Sequence, residues 1–365
     1  MADTVNIEGL SRYAKSWNNT LKELPFYTFN EAALELRLNI IKVQGEDIAV
    51  TLRRKAGIVK PYYPGITAGN QQEILNFFEQ KLKPEITYAE INDNVTNYRD
   101  KKVISNQGEW FNNKTKKHPL EALILMAKVR SYAEDVVFSM FFAERDINVP
   151  SPMTAFNGFF TKFGLLQVAG EISAAKNNLK TTGSFDAGVN VGVGGDGINH
   201  YQRLVDFVKS SHPLLRRGEV ILMCTELPLA AARDGLRIKM NYFAMPTVEE
   251  MLVKLRSDAN CPNLTICTHE CLGTGSKLVL LKPGLLDIGV GDNTDKDFVQ
   301  VRNPWGDPNI VQFWMQASYD TRLVDCHAKI FQTNEQNNIA LDLAGDYPAP
   351  TSGGGGGTEP EPEEP

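Results

Sequence analysis

The chain has 365 residues, of which 42% are hydrophobic and 22% charged, with a formal net charge of -6. That composition is globular and large enough for one large or two to three small domains. Its acidic balance excludes tight phosphate binding as the main activity, since proteins that grip nucleic acid carry a basic excess. Residues 1–10 hold Asp3 and Glu8 and no apolar run, and no stretch reaches the roughly 18 apolar residues of a membrane span, so neither a signal peptide nor a membrane anchor is expected. Five cysteines, odd in number and unevenly spaced, argue for a reducing cytoplasm and against a disulfide framework.

Residues 1–45 mix Trp17, Phe26, Tyr27 and Phe29 with polar residues and are too irregular to form a core alone. Residues 31–41 are closer to strand alternation than to a helix. Residues 46–105 are read as a β-rich excursion: Ile48, Val50 and Leu52 alternate, Pro61 to Gly65 breaks the chain, and Ile86, Tyr88 and Ile91 mark a second extended piece. Basic residues cluster at Arg53, Arg54 and Lys55, and again at Lys101 and Lys102. Residues 119–144 form the strongest predicted helix, with Pro119 at its first position, an apolar surface from Leu120 to Phe141, and no internal Gly or Pro.

A Gly-rich stretch, 183–198, leads into a predicted helix at about 201–210. A buried strand at 220–224 follows. A short helix from Leu227 to Asp234 is expected next, with Thr225 as cap and Gly235 just past its end. Thr247 to Glu250 is a capping box opening a helix to about Arg256. Leu278 to Leu281 is another apolar strand. Val311, Phe313, Met315, Ala317 and Tyr319 alternate, as do Val324, Cys326, Ala328 and Ile330, which predicts a long hairpin turning at Tyr319-Asp320-Thr321. Residues 351–365, five glycines and a Glu/Pro run among them, cannot bury apolar area and are expected to be disordered.

Two motifs resemble sites. Gly192 to Gly197 matches G-x-G-x-x-G, but no buried strand precedes it and no βαβ unit starts there, so a loop before a helix is the expected reading. Cys261, Cys267, His269 and Cys271 cluster at spacings unlike the Cys-x(2–4)-Cys pairs of zinc sites, so buried small thiols are expected and no metal. Cys326 and His327, read as neighbours on a strand, point to opposite faces and make a poor dyad. With no nucleophile elbow and no Walker loop, no catalytic residue is assigned, no cofactor is expected, and the chain is read as not an enzyme.

The order of parts, an irregular arm, a basic β excursion, a long helix, a mixed α/β unit and returning strands, resembles the major capsid proteins of tailed bacteriophages, the Hong Kong ninety-seven type fold shared with encapsulins. The resemblance spans about residues 20–340. It implies an α+β fold with 1–45 as N-terminal arm, 46–105 as the extended β loop (E-loop), and 106–182 with 297–345 as a peripheral domain carrying a spine helix at 119–144. A mixed α/β axial domain at 183–296 and an acidic Gly/Pro tail at 346–365 complete it. By that resemblance the chain is a structural subunit of an icosahedral shell in the virion, assembled in the bacterial host cytoplasm and enclosing packaged double-stranded DNA. Its partners would be itself in pentamers and hexamers, a separate scaffolding protein, a portal and a maturation protease, with DNA contacted weakly and non-specifically and no membrane. Arg53, Arg54 and Lys55 are the candidate inter-subunit contacts. The alternatives are an encapsulin-like compartment shell and a cytoplasmic α/β nucleotide-binding enzyme using the 192–197 loop.

Overall fold

The computed structural model describes residues 32–54, 75–94, 120–149, 151–185, 192–291, 299–302 and 310–341. It is a mixture of helices and antiparallel-dominated sheets, the α+β class expected. Strand β1 (Asn39–Val43) runs parallel to β10 (Leu286–Gly291), and β10 is antiparallel to β12 (Ile310–Leu323). Strand β4 (Glu85–Asn94) lines one edge of β12 from Tyr319 back to Ile310, and β11 (Val299–Arg302) lines the other at 312–315.

Helix α1 (Leu120–Phe142) covers this first sheet. Its 23 residues span about 34 Å. Leu125, Val129, Tyr132, Ala133, Val136, Val137, Met140 and Phe141 are all buried and recur every three or four residues, so one stripe faces the core. Helix α2 (Phe159–Val168) adds Phe159 and Phe163 to the same core. From β12 the alternating Val311, Phe313, Met315, Ala317 and Tyr319 point into it, as the period-2 pattern requires.

The second sheet has the order β5 (Leu179–Lys180), β13 (Phe331–Asn334), β9 (Leu278–Leu281), β6 (Val220–Cys224), β7 (Leu264–Cys267). Against one face lie α3 (His200–Lys209), α5 (Glu226–Met240) and α6 (Val248–Asp258), with the short α4 (Pro213–Arg216) at the corner. Every residue of β6 and β9 is buried because both faces are covered. Val220, Leu222, Cys224, Leu278 and Leu280 enter the core under α3, α5 and α6, whereas Ile221, Met223, Val279 and Leu281 enter the core under α1. The sheet is thus a wall shared by two cores. Each such fully buried aliphatic side chain contributes about 1.5–3 kcal/mol.

Four expectations fail in instructive ways. Residues 32–36 are helical and only 39–43 extended. Ala32, Ala33 and Leu36 are buried in the first core, so the end of the segment read as an arm lies within the body. The short helix read at 227–234 continues to Met240, because Gly235 sits inside it: a Cβ there would lie 2.7 Å from both Asn199 Oδ1 and Tyr201 N, and the true end is Asn241 in the left-handed region. Thr225 starts this helix, but its hydroxyl donates to Gly275 O instead of capping. Finally there is no hairpin at 319–321. β12 runs straight through, 324–330 are loop ending in a turn at 328–330, and β13 belongs to the second sheet. The polar pair that reads as a turn is satisfied in place: Asp320 accepts from Lys162 Nζ and Lys83 N, and Thr321 donates to Asn157 O.

Candidate assembly interface

Strands β2 (Asp47–Arg54) and β3 (Leu75–Leu82) form a two-stranded antiparallel ribbon. Residues opposite one another share a face, so Ala49, Thr51, Phe78, Leu82 and Arg53 lie on one side and Ile48, Val50, Leu52 and Phe77 on the other. Phe78 and Leu82 are buried; the four apolar residues of the second side are 48–66% exposed. Leu82 is admitted by Gly289 of β10, where any Cβ would lie 2.7–3.0 Å from the Leu82 side chain.

Charge fixes the ribbon to the body. Arg322, buried on β12, donates to Asp287 Oδ2 at 2.7 Å and to Asp47 Oδ2 at 2.8 Å, which ties the first residue of β2 to the sheet. Further along, Arg53 donates through Nε to Asp325 Oδ1 at 3.0 Å and through Nη1 to Glu171 Oε2 at 2.6 Å, with its guanidinium 3.7 Å over the Phe78 ring. Such pairs hold position more than they stabilise, since desolvation offsets most of the Coulombic gain.

Of the three candidate contacts, Arg53 is the one whose surroundings are described: both of its carboxylate partners belong to its own chain, and 17% of its side chain is exposed. They lie 118 and 272 residues away in sequence, a distance no local pattern reveals. Arg54 has its backbone in β2, opposite Leu75, while its side chain and Lys55 lie outside the described residues, as do Lys101 and Lys102. The residues the sequence did not single out as contacts are the apolar ones on the opposite face, although their alternation was visible. Within the 46–105 stretch, β2 and β3 pair with each other while β4 pairs with β12 in the first sheet, and residues 55–74 and 95–105 lie outside the described residues. The aromatics of 1–31 and the tail at 346–365 fall outside the described residues.

A second apolar surface lies at the end of α5. Ile238, Met240, Tyr242 and Met245 are roughly half exposed, and Phe243 is fully so. The segment is held in this pose by Tyr242 N donating to Arg237 O at 2.9 Å and by Arg233 Nε donating to Pro246 O at 2.9 Å.

The two site-like motifs serve the fold. The 192–199 loop closes on itself: Gly194 N donates to Ile198 O, and Asp196 receives Arg203 at 2.7 Å. Gly192 allows the loop backbone to meet that of Asp234 and Gly235, where a Cβ would come within 2.5–2.7 Å. The N-terminus of α3, where a phosphate would sit in a dinucleotide site, is capped by Asn199, whose Oδ1 accepts from Tyr201 N and Gln202 N. The cysteines are dispersed over both cores. Strand β7 ends at Cys267 and Glu270–Leu272 form a single 3-10 turn capped by His269, so Cys267, His269 and Cys271 share no strand face. Burial raises the thiols of Cys261, Cys267, Cys271 and Cys326 and pushes Cys224 up to about 12, which disfavours the thiolate. Among the described residues no cluster of three or more His, Cys, Asp or Glu is placed to hold a metal ion, and no helix is long and apolar enough to cross a membrane.

No family model and no curated protein matches the chain. The solved structures similar to it include capsid proteins of phages. The satellite phage P4 procapsid including size determination (Sid) protein matches at 13% identity over 84% of this chain and 89% of that one, with a TM-score of 0.49. The capsid of an empty GTA particle matches at 10% identity over 85% and 96%, with a TM-score of 0.46. A virus-like particle from Pyrococcus furiosus matches at 10% identity over 87% and 98%, with a TM-score of 0.44. Likeness at that level assigns no role to any residue of this chain.

Proposed function

We propose that this chain is a shell-building subunit of the tailed-phage capsid type, structural and not enzymatic, which self-assembles through pentamers and hexamers into an icosahedral shell around double-stranded DNA. The observation that carries this reading is the β2–β3 ribbon. Its inner side is fixed by part-buried ion pairs to its own body, while its outer side offers Ile48, Val50, Leu52 and Phe77 to solvent. Exposed apolar side chains grouped on one face of a ribbon, here bordered by Glu79 and Lys81, call for a partner surface. The second patch at 238–245 is unlike the first in sequence and structure. Where one such surface of a subunit meets the other surface of the next copy, the contact is head-to-tail and closes into rings or extends into lattices, whereas a single self-complementary patch gives only a pair.

The finer parts of the reading, namely a separate scaffolding protein, a portal, a maturation protease and assembly in the host cytoplasm, rest on the resemblance of the order of parts. The nucleotide-binding alternative is opposed by the Asn199 cap on α3. Light scattering and negative-stain microscopy of the purified chain, alone and with candidate scaffolding protein, test the proposal. Rings, capsomers or shells are expected; a strict monomer under all these conditions would sink it.

A further inference from the structure

One corner of the second sheet stands out in an acidic chain. Lys209 ends α3, Arg217 follows α4, Lys282 follows β9, and Lys329 lies in the turn before β13. His212 and His327 lie among them. Bonds between these segments make the corner continuous. Lys282 N donates to Ile330 O at 3.0 Å, Gln332 Nε2 donates to Phe207 O at 2.8 Å, and a Cβ at Gly218 would lie 3.8 Å from Lys282 Nζ.

The carboxylates nearby are already engaged. Asp325 is bound by Arg53, Glu171 by Arg53 and Lys176, and Glu219 by Arg37. Asp206, one turn back on α3, accepts from the neutral Gln202 and keeps its charge, so the corner carries four cations against one unpaired carboxylate. Among the described residues, none of Lys209, Arg217, Lys282 and Lys329 takes part in an ion pair. Four cations on adjoining segments, without an acidic partner among the described residues, offer their charge to a polyanion.

We propose that this corner binds the phosphate backbone of double-stranded DNA. The proposal rests on the shell reading above and names the surface that would meet the enclosed DNA. A duplex presents one charge per about 1.7 Å along its axis, on two strands. An array of charges spread over several loops matches that better than it matches one extended acidic peptide. The contact is independent of base sequence, since backbone phosphates carry no direct sequence information. It is weak, in keeping with the chain's net charge of -6.

The test is binding of a short duplex to the full-length chain across a salt series. Each lost phosphate contact should reduce the slope of log K against log salt by about 0.9. Arg217→Ala and Lys329→Ala, at exposed positions, are each expected to lower the slope by about that amount. Changing Lys209, Arg217, Lys282 and Lys329 together to Glu should abolish binding. Slopes unchanged in the single variants overturn the proposal even if the fourfold variant misfolds. Duplex binding that appears only after deletion of 346–365 also overturns it, because the acidic tail with Glu359, Glu361, Glu363 and Glu364 would then be the occupant. Assembly is scored in parallel by microscopy. A chain that binds DNA through these residues but never assembles sinks the shell reading alone; one that assembles but binds DNA indifferently to the substitutions sinks this proposal alone.

Discussion

Arg53 looks in sequence like one of three exposed cations, and in three dimensions it is the clasp of the ribbon. Replacing it by Glu places a carboxylate beside Asp325 and Glu171 in a half-buried site. Removing one partner of a buried pair costs about 3–5 kcal/mol. Arg53→Glu is therefore expected to lower the urea midpoint of the isolated subunit markedly; a midpoint within error of the parent would refute the clasp. Asp135 on α1 makes the opposite kind of prediction. Its Oδ1 is buried and accepts no hydrogen bond among the described residues, and burial, helped by Glu134, pushes the carboxyl up to about 7 from 3.8. The folded chain then holds this proton more tightly than the unfolded chain between those values. Stability falls as pH rises through that window and levels off above it. Asp135→Asn removes the dependence, and the variant should gain on the order of 2 kcal/mol over the parent at about pH 8 and less at about pH 5. Equal effects at both pH values would show that the carboxyl titrates normally.

At the scale of elements, the shell reading proposed above makes the ribbon the place where folding and assembly separate. Leu52→Lys combined with Phe77→Ser changes only the exposed side, so the melting temperature should stay within a few degrees of the parent, surface changes costing about 0.5 kcal/mol or less each. Assembly measured by light scattering should be lost; shells forming normally would move the interface elsewhere. The elements legible in the sequence were those with a long, uninterrupted period. The helix read at 119–144 is found at Leu120–Phe142, the capping box at Thr247 opens Val248–Asp258, and the strand at 220–224 lies where its apolar run placed it. What misled was local chemistry that distant partners override. Tyr319-Asp320-Thr321 has turn-like polarity, yet Lys162 and Asn157 satisfy it within a strand. Gly235 looks like a helix end, yet it is a point of close approach for the 192–201 loop. The apolar face at 48–52 was visible as alternation, but which side faces the body depends on Arg322 and Asp325, hundreds of residues away.

For the molecule as a whole, the shared wall formed by β6 and β9 predicts cooperativity. Ile221, Met223, Val279 and Leu281 serve one core while their neighbours Leu222, Cys224, Leu278 and Leu280 serve the other. Neither core can open without uncovering a face of the same strands. Unfolding of a variant that keeps Trp314 on β12 and carries Phe at its other three tryptophans, followed by fluorescence and by far-ultraviolet circular dichroism, should therefore give coincident curves, the mark of an all-or-none transition. Two separated transitions would mean that the two halves come apart independently, and that the wall is merely a boundary.

Strand β12 has a mechanical consequence. Its 14 residues extend about 48 Å, held by β4 along one edge and by β11 and then β10 along the other. Tension applied along such a strand loads the flanking hydrogen bonds in shear, all at once, whereas tension applied across it would peel them one at a time. A subunit stretched lengthwise by pressure from inside a container would yield last along this line. Its weakest direction would be perpendicular to it.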